Sequence, residues 1–174
     1  MAIIIDGRQI GKDFPPYIIA ELSANHNGDI QRALDTIRMA KKSGAGLVVT
    51  ASRRTGSENE AILRDALADA PAVVWDGTGA NPYFGFLGLA DAVVATCDSV
   101  SMASEAAATG KPVYIVDLEG GSRKFREFHK GLRDDGITRP FKGTLETWTY
   151  APLDDTARVA ALVHQRLNAH AAAQ

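Results

Sequence analysis

Short runs of β-branched and aliphatic residues alternate along the chain with segments whose apolar positions recur every three or four residues. The runs Tyr17–Glu21, Gly46–Thr50, Ala72–Trp75, Ala92–Ala95 and Pro112–Val116 are apolar almost throughout, as strands buried on both faces require. Between the first two, Ile30, Ala33, Leu34, Ile37 and Ala40 mark a helical stripe that Asp29 can cap and Gly44 can end. Ser57 and Glu60 have the spacing of a capping box ahead of a helix through Ile62, Ala66 and Leu67. Tyr83 to Leu89 predicts one or two helical turns. Ser101 is placed to cap a helix running to about Thr109, with Gly110 as its stop. A basic helix from about Ser122 to Leu132 follows, then a loop rich in Gly, Pro and aromatics. The last element is an amphipathic helix carrying Val159, Leu162, Val163 and Leu167, with an Ala-rich tail from Ala169 expected to fray. At the other end, Ile3–Ile5, Asp6-Gly7 and Gln9-Ile10 predict a small β-hairpin, because Asp-Gly favours the tight turn such a ribbon needs.

This rhythm predicts an α/β fold: a Rossmann-like open, mainly parallel sheet of five strands with helices on both faces, plus the N-terminal hairpin. At 174 residues the chain reads as one domain, 1–174, and is too short for a complete eight-unit barrel. A net charge of -2 gives no long-range pull toward nucleic acid or acidic membranes, so partner choice must be read locally. A lone cysteine, Cys97, excludes an intramolecular disulfide and a Cys-cluster zinc site, and suits a reducing cytoplasm. The first residues lack the basic and apolar stretches of a secretory leader, and no run nears the roughly 18 apolar residues of a membrane span. A soluble, cytoplasmic protein is expected.

In open parallel sheets, ligands bind beyond the carboxyl ends of the strands, where helix N-termini offer free N–H groups and a positive dipole end. The less ordinary residues fall in those loops: Glu21 to Asp29, Ser52 to Thr55, Asp76 to Asn81, Thr96 to Glu105 and Glu119 to Lys124. Ser99, Ser101 and Ser104 can offer hydroxyls to a diphosphate at a helix mouth, and Glu105, one turn inside, can reach a ribose diol. Equally, Ser101 can simply cap and Glu105 can be a solvated first-turn acid. Arg53 and Arg54 can clamp a phosphate through bidentate hydrogen bonds or lie free in a turn. Thr78, Ser122 and Arg123 are further ligand candidates; Arg126 reads as a solvated helix position. His26, His129, His164 and His170 lack metal-ligand spacing, and Cys97 has no basic neighbour in sequence to activate it. Neither a metal nor an organic cofactor is expected, and the catalytic residues are left open.

The stretch from Ser104-Glu105-Ala106 to Gly110-Lys111-Pro112 resembles the donor-binding half of GT-B glycosyltransferases and the related UDP-sugar 2-epimerases. From Gly46 to about Ala160 the chain looks closer to the bacterial proteins labelled mitochondrial-fission-like or nucleoside-diphosphate-sugar-epimerase-like, regarded as GT-B-type enzymes. Thr50 to Thr55, Trp75 to Gly79, Asn81 to Gly85, Asp98-Ser99, Ser104 to Val113 and Gly120 to Phe125 carry this likeness, over about two-thirds of the chain. The resemblance implies that this half binds a nucleotide-sugar, while an N-terminal Rossmann domain, absent here, supplies the acceptor and much of the cleft.

Residues 1–45 resemble a different family. Tyr17-Ile18-Ile19-Ala20-Glu21-Leu22-Ser23-Ala24-Asn25-His26-Asn27-Gly28-Asp29 and the helix ending Ser43-Gly44-Ala45 are similar to the opening of sialic and pseudaminic acid synthases, TIM-barrel enzymes that use phosphoenolpyruvate. On that likeness Glu21, Asn25 and His26 become secondary ligand candidates. The chain then passes into Gly46-Leu47-Val48-Val49-Thr50 instead of the synthases' next strand, which argues against synthase activity. Two likenesses meeting at Gly46 suggest a hybrid, a constructed chimera in which one barrel-derived βα unit replaces one of a doubly wound sheet. The expected function is a domain that binds a nucleoside diphosphate or UDP-sugar-like ligand with little or no catalysis. A GT-B glycosyltransferase is the alternative, and a synthase-like protein a further one. A missing cleft-forming domain would leave apolar surface bare, so a homo-oligomer is also expected.

Overall fold

The computed structural model describes residues 3–5, 8–10, 17–22, 35, 38, 46–51, 56–118 and 121–172. Strands β1 (Ile3–Ile5) and β2 (Arg8–Ile10) form the predicted hairpin, a separate antiparallel pair with Ile3 opposite Ile10. Among the described residues the main sheet has six strands: β3 (Tyr17–Leu22), β4 (Gly46–Ala51), β5 (Ala72–Val74), β6 (Ala92–Thr96), β7 (Val113–Val116) and β8 (Thr138–Pro140). All pair in parallel, in the order β5-β4-β3-β6-β7-β8. The chain starts in the middle, winds out to one edge, returns past β3 and winds out to the other. That reversal between β3 and β6 is the topological switch of a doubly wound fold.

Among the described residues, five helices are seen with both ends: α1 (Ser57–Leu67), α2 (Tyr83–Leu89), α3 (Val100–Ala107), α4 (Arg123–Asp134) and α5 (Asp155–Ala172). The helix expected between β3 and β4 lies outside the described residues, apart from Asp35 and Arg38, which are helical and ion-paired at 2.8 Å.

Alternation along each strand sends neighbouring side chains to opposite faces, so the sheet carries two cores. On one face Leu47, Val49, Ala92, Val94 and Tyr114 pack with Leu63 and Leu67 of α1 and with Phe141, Leu145 and Trp148. On the other, Val48, Val93, Ala95, Val113 and Ile115 meet Leu87, the three alanines Ala103, Ala106 and Ala107 of α3, Leu132 and Ile137. Each fully buried Val, Leu or Ile contributes about 1.5–3 kcal/mol to stability. Alanine predominates on α3 because a helix lying close against the sheet leaves room for little else.

Residues 141–153 strap these layers together. Trp148 belongs to the first core, whereas Tyr150 and Leu153 pack on the second, so the strap crosses from one face to the other. It does so beside Gly110 and Lys111, just ahead of β7: the Tyr150 hydroxyl donates to the Lys111 carbonyl at 2.5 Å and the Leu153 amide to the Ala107 carbonyl at 3.2 Å. α3 stops at Ala107, two residues short of the expected Thr109, and Gly110 closes the turn that follows with φ 71°; a Cβ there would lie 3.1 Å from Cγ of Pro152. Both the backbone and the strap therefore demand glycine.

Four expectations are corrected. The stretch read as a loop contains β8, a sixth strand; it is short and ends in proline, which an edge strand tolerates because one side of its ladder is unpaired. At α1 the capping box does not form: Gly56 is the N-cap, Ser57 is already helical, and Glu60 is ion-paired with Arg64 at 3.5 Å. The buried positions of α1 are Leu63 and Leu67, while Ile62 and Ala66 face outward. The Ala-rich tail, expected to loosen from Ala169, is helical as far as Ala172 in α5, in keeping with the high helix propensity of alanine.

Burial pushes the Tyr150 phenol up to about 12. A folded value above the unfolded value of 10.0 leaves its contribution intact below pH 10, and that contribution is lost as pH rises toward 12. Thermal melts between pH 9 and 12 should show this alkaline loss, and Tyr150→Phe should flatten it. Equal alkaline profiles for both proteins would refute the assignment.

Candidate functional site

The carboxyl end of β6 turns through Cys97 and Asp98 into α3. Ser99, not Ser101, is the N-cap: it is extended (φ -113°), nearly buried, and its Oγ accepts from the Met102 amide at 3.4 Å. The cap expected at Ser101 is thus corrected: only three residues separate β6 from the helix, which begins at Val100, one residue before Ser101. Ser101 is exposed in the first turn. Ser104 is half-buried and its Oγ–H donates back to the Val100 carbonyl at 2.9 Å, so it is satisfied within the helix.

Glu105 is the most constrained candidate. Its Oε2 accepts from the Tyr83 hydroxyl at 2.7 Å, a contact between α2 and α3 that spans 22 residues. Tyr83 is placed by the loop that follows β5. There the Asn81 Oδ1 accepts the Tyr83 amide at 2.9 Å, and the Trp75 indole donates to the Thr78 carbonyl at 2.9 Å. Thr78 directs its hydroxyl (2.7 Å) and amide (2.9 Å) to Asp76 Oδ1, and these two hydrogen bonds hold the Asp76 carboxyl below its usual range. Gly77 and Gly79 supply the positive φ values, 83° and 68°, that so tight a loop needs. Thr78, a ligand candidate by sequence, is thus engaged in shaping its own loop.

Lys111 secures the other end of α2. Its Nζ donates to the Leu87 carbonyl at 2.8 Å and the Gly88 carbonyl at 2.6 Å, satisfying the acceptors that the end of the helix leaves open. Burial pushes its ammonium below the ordinary lysine value. Neither Tyr83 nor Lys111 was singled out from the sequence. Asn81-Pro82 ahead of Tyr83 is an Asx-turn signal that could have revealed the first, and the partners of the second lie more than 20 residues away.

The remaining candidates divide. Ser122 caps α4, its Oγ accepting the Phe125 amide at 3.2 Å, and Arg123 is exposed and paired with Glu127 at 2.7 Å. Both lie after β7, one strand out from the α3 mouth. Glu21 stands near the end of β3, level with Thr50 of β4 and Ala95 of β6, at the switch point itself. Asn25, His26, Arg53 and Arg54 lie outside the described residues. Cys97 is half-buried, its thiol pushed up by burial, and its Sγ accepts the Leu118 amide at 3.2 Å. His129 is buried against this turn, its Nε2 donating to the Cys97 carbonyl at 2.7 Å, and burial lowers its value, which favours neutral imidazole. The pair is structural: the thiol is held neutral and the imidazole faces a carbonyl.

A parallel sheet in this order, with a capped helix opening beside its switch point, defines a Rossmann-like α/β protein. The same architecture is found in a UDP-GlcNAc 2-epimerase from Neisseria meningitidis, whose structure was solved with UDP-GlcNAc bound. It aligns with a TM-score of 0.51 and 16% identity over 76% of this chain and 33% of the epimerase. A family model described as Mitochondrial fission ELM1 matches residues 23–167, and the chain belongs to that family. It is 37% identical over 152 residues to the mitochondrial fission protein ELM1 of Arabidopsis thaliana, covering 84% of this chain and 36% of the relative. An uncharacterized protein, RP120, of Rickettsia prowazekii is 32% identical over 123 residues, 66% of this chain and 34% of the relative. The chain thus spans about a third of the length of these relatives. The family match runs unbroken across the seam expected at Gly46, so it gives the hybrid reading no support. Among the described residues no helix is long and apolar enough to cross a membrane.

Replacing Lys111 with methionine should lower stability by about 1–3 kcal/mol, since two carbonyls lose a charged donor. Denaturant melts check this, and a variant as stable as the parent would show that the cap carries no weight.

Proposed function

We propose that the chain is the nucleotide-sugar-binding half of a GT-B-type protein, taking a UDP-sugar-like ligand at the mouth of α3 with little or no catalysis of its own. The observation that carries this reading is the Tyr83–Glu105 pair beside the Ser99-capped helix. A carboxylate fixed by a phenol is oriented before a ligand arrives, so it can accept hydrogen bonds from a ribose diol without first losing freedom. The adjacent helix start, with Ser99 and Ser101, offers amide dipoles and a hydroxyl to a diphosphate. The fold shared with a 2-epimerase, whose structure holds UDP-GlcNAc, supports the choice of ligand class. Arg53 and Arg54, which follow β4 in sequence, serve in this reading as phosphate partners, and a cytoplasmic location goes with it.

Glycosyl transfer is the second reading, favoured by one observation: relatives are about three times as long, which leaves room for a further domain that would complete a cleft. On that reading Glu105 would still hold the donor.

Calorimetric titration with UDP, ADP and GDP tests the proposal. UDP should release measurable heat, and Glu105→Gln should weaken its binding about tenfold, the loss of one charge-assisted contact. No heat with any of the three sinks the reading. Prolonged incubation with a UDP-sugar tests the second, which fails if no sugar is released.

A further inference from the structure

Beside the edge strand β8, and apart from the α3 mouth, a cavity of about 170 Å³ opens between Tyr114, Arg139, Pro140, Lys142, Thr144 and Glu146. Its floor is the buried ring of Tyr114, whose hydroxyl donates to the Glu146 carbonyl at 3.1 Å. Trp148 stands edge-on to that ring, centroids 5.1 Å apart, and the Arg139 guanidinium lies 4.4 Å above the indole. The Glu146 carboxylate holds Arg139 as well. An arginine stacked on an aromatic face and tethered by a carboxylate has its fork already aimed, and most of its five N–H groups remain free.

Two more donors line the same space. Among the described residues, neither the Lys142 ammonium nor the Thr144 hydroxyl has a hydrogen-bond partner within the protein. Two cations against one carboxylate leave the lining with one net positive charge. The volume is well below the roughly 300–1,000 Å³ that organic ligands of drug size occupy, so the occupant is an ion or a compact ester. A carboxylate could meet three donor groups only by sharing an oxygen between two of them, whereas a tetrahedral phosphate, with more oxygens and a larger charge, can give each donor group its own.

We propose that this cavity is an anion site that takes a phosphate group, held by Arg139, Lys142 and Thr144 over the Tyr114 ring. It is independent of the nucleotide reading, because it lies on a different strand and uses none of the same residues.

Trp148 provides the reporter. The chain has two tryptophans, so Trp75→Phe isolates its emission. Titrating that variant with inorganic phosphate, at ionic strength held constant with chloride, should give a saturable change in emission. Lys142→Ala should weaken the response about tenfold, whereas Lys130→Ala, an exposed lysine elsewhere, should leave it unchanged. Parallel titrations with glycerol phosphate assign the site to a small phosphorylated molecule if they saturate earlier, and to free phosphate if later. The proposal is overturned if phosphate does no more than chloride, if acetate matches it, or if Lys142→Ala responds as the parent does.

Discussion

A parallel strand flanked on both sides must be covered on both faces, and this demand shapes most of the molecule. Crossover helices can meet it only where the winding takes them. On one side of the sheet α2, α3 and α4 cover β6 and β7. On the other, α1 supplies Leu63 and Leu67, and among the described residues Tyr114, toward the opposite edge, needs a further cover. The strap of residues 141–153 supplies it with Phe141, Leu145 and Trp148, then passes around to the opposite core with Tyr150 and Leu153. Its cost is order in a segment without regular secondary structure; aromatic rings, large in area and poor in rotamers, offset that cost well.

The architecture was legible because buried parallel strands leave near-continuous apolar runs, and all five such runs became strands of the main sheet. β8 was not, because Thr138, Arg139 and Pro140 carry no apolar run; pairing with β7 on one side alone makes them a strand. The cap of α1 was misread for a related reason. Ser57 and Glu60 satisfy a local pattern, but the chain leaves the preceding loop through a positive φ at Gly56, and backbone geometry decided where the helix begins. The cap of α3 was expected at Ser101 and lies two positions earlier, at Ser99, which the sequence had offered only as a ligand residue.

The site was legible in its composition and not in its wiring. Ser99 and Glu105 could be picked out as residues at a helix mouth, but that Tyr83 holds Glu105 depends on α2 lying against α3, a relation between distant parts of the chain. Lys111 is more telling still. Within its Gly-Lys-Pro run it reads as a motif residue of no stated role, whereas in three dimensions its ammonium closes the end of α2. Rigidity at one end of that helix is thereby joined to the orientation of a carboxylate at the other. Ser99, Ser104 and Ser122, counted as ligand donors, are engaged with nearby backbone, and the Thr78 hydroxyl with the Asp76 carboxylate, since short hydroxyl side chains bond locally wherever a turn allows.

Helix α5 leaves Val159, Leu162, Val163 and Leu167 largely uncovered along one stripe. Eighteen residues of helix extend about 27 Å, and a segment of that length resting on its own hydrogen bonds is marginal in water. Its amide protons should therefore trade with solvent faster than those of the sheet, and its helicity, unlike that of α3, should answer to temperature well before the core melts.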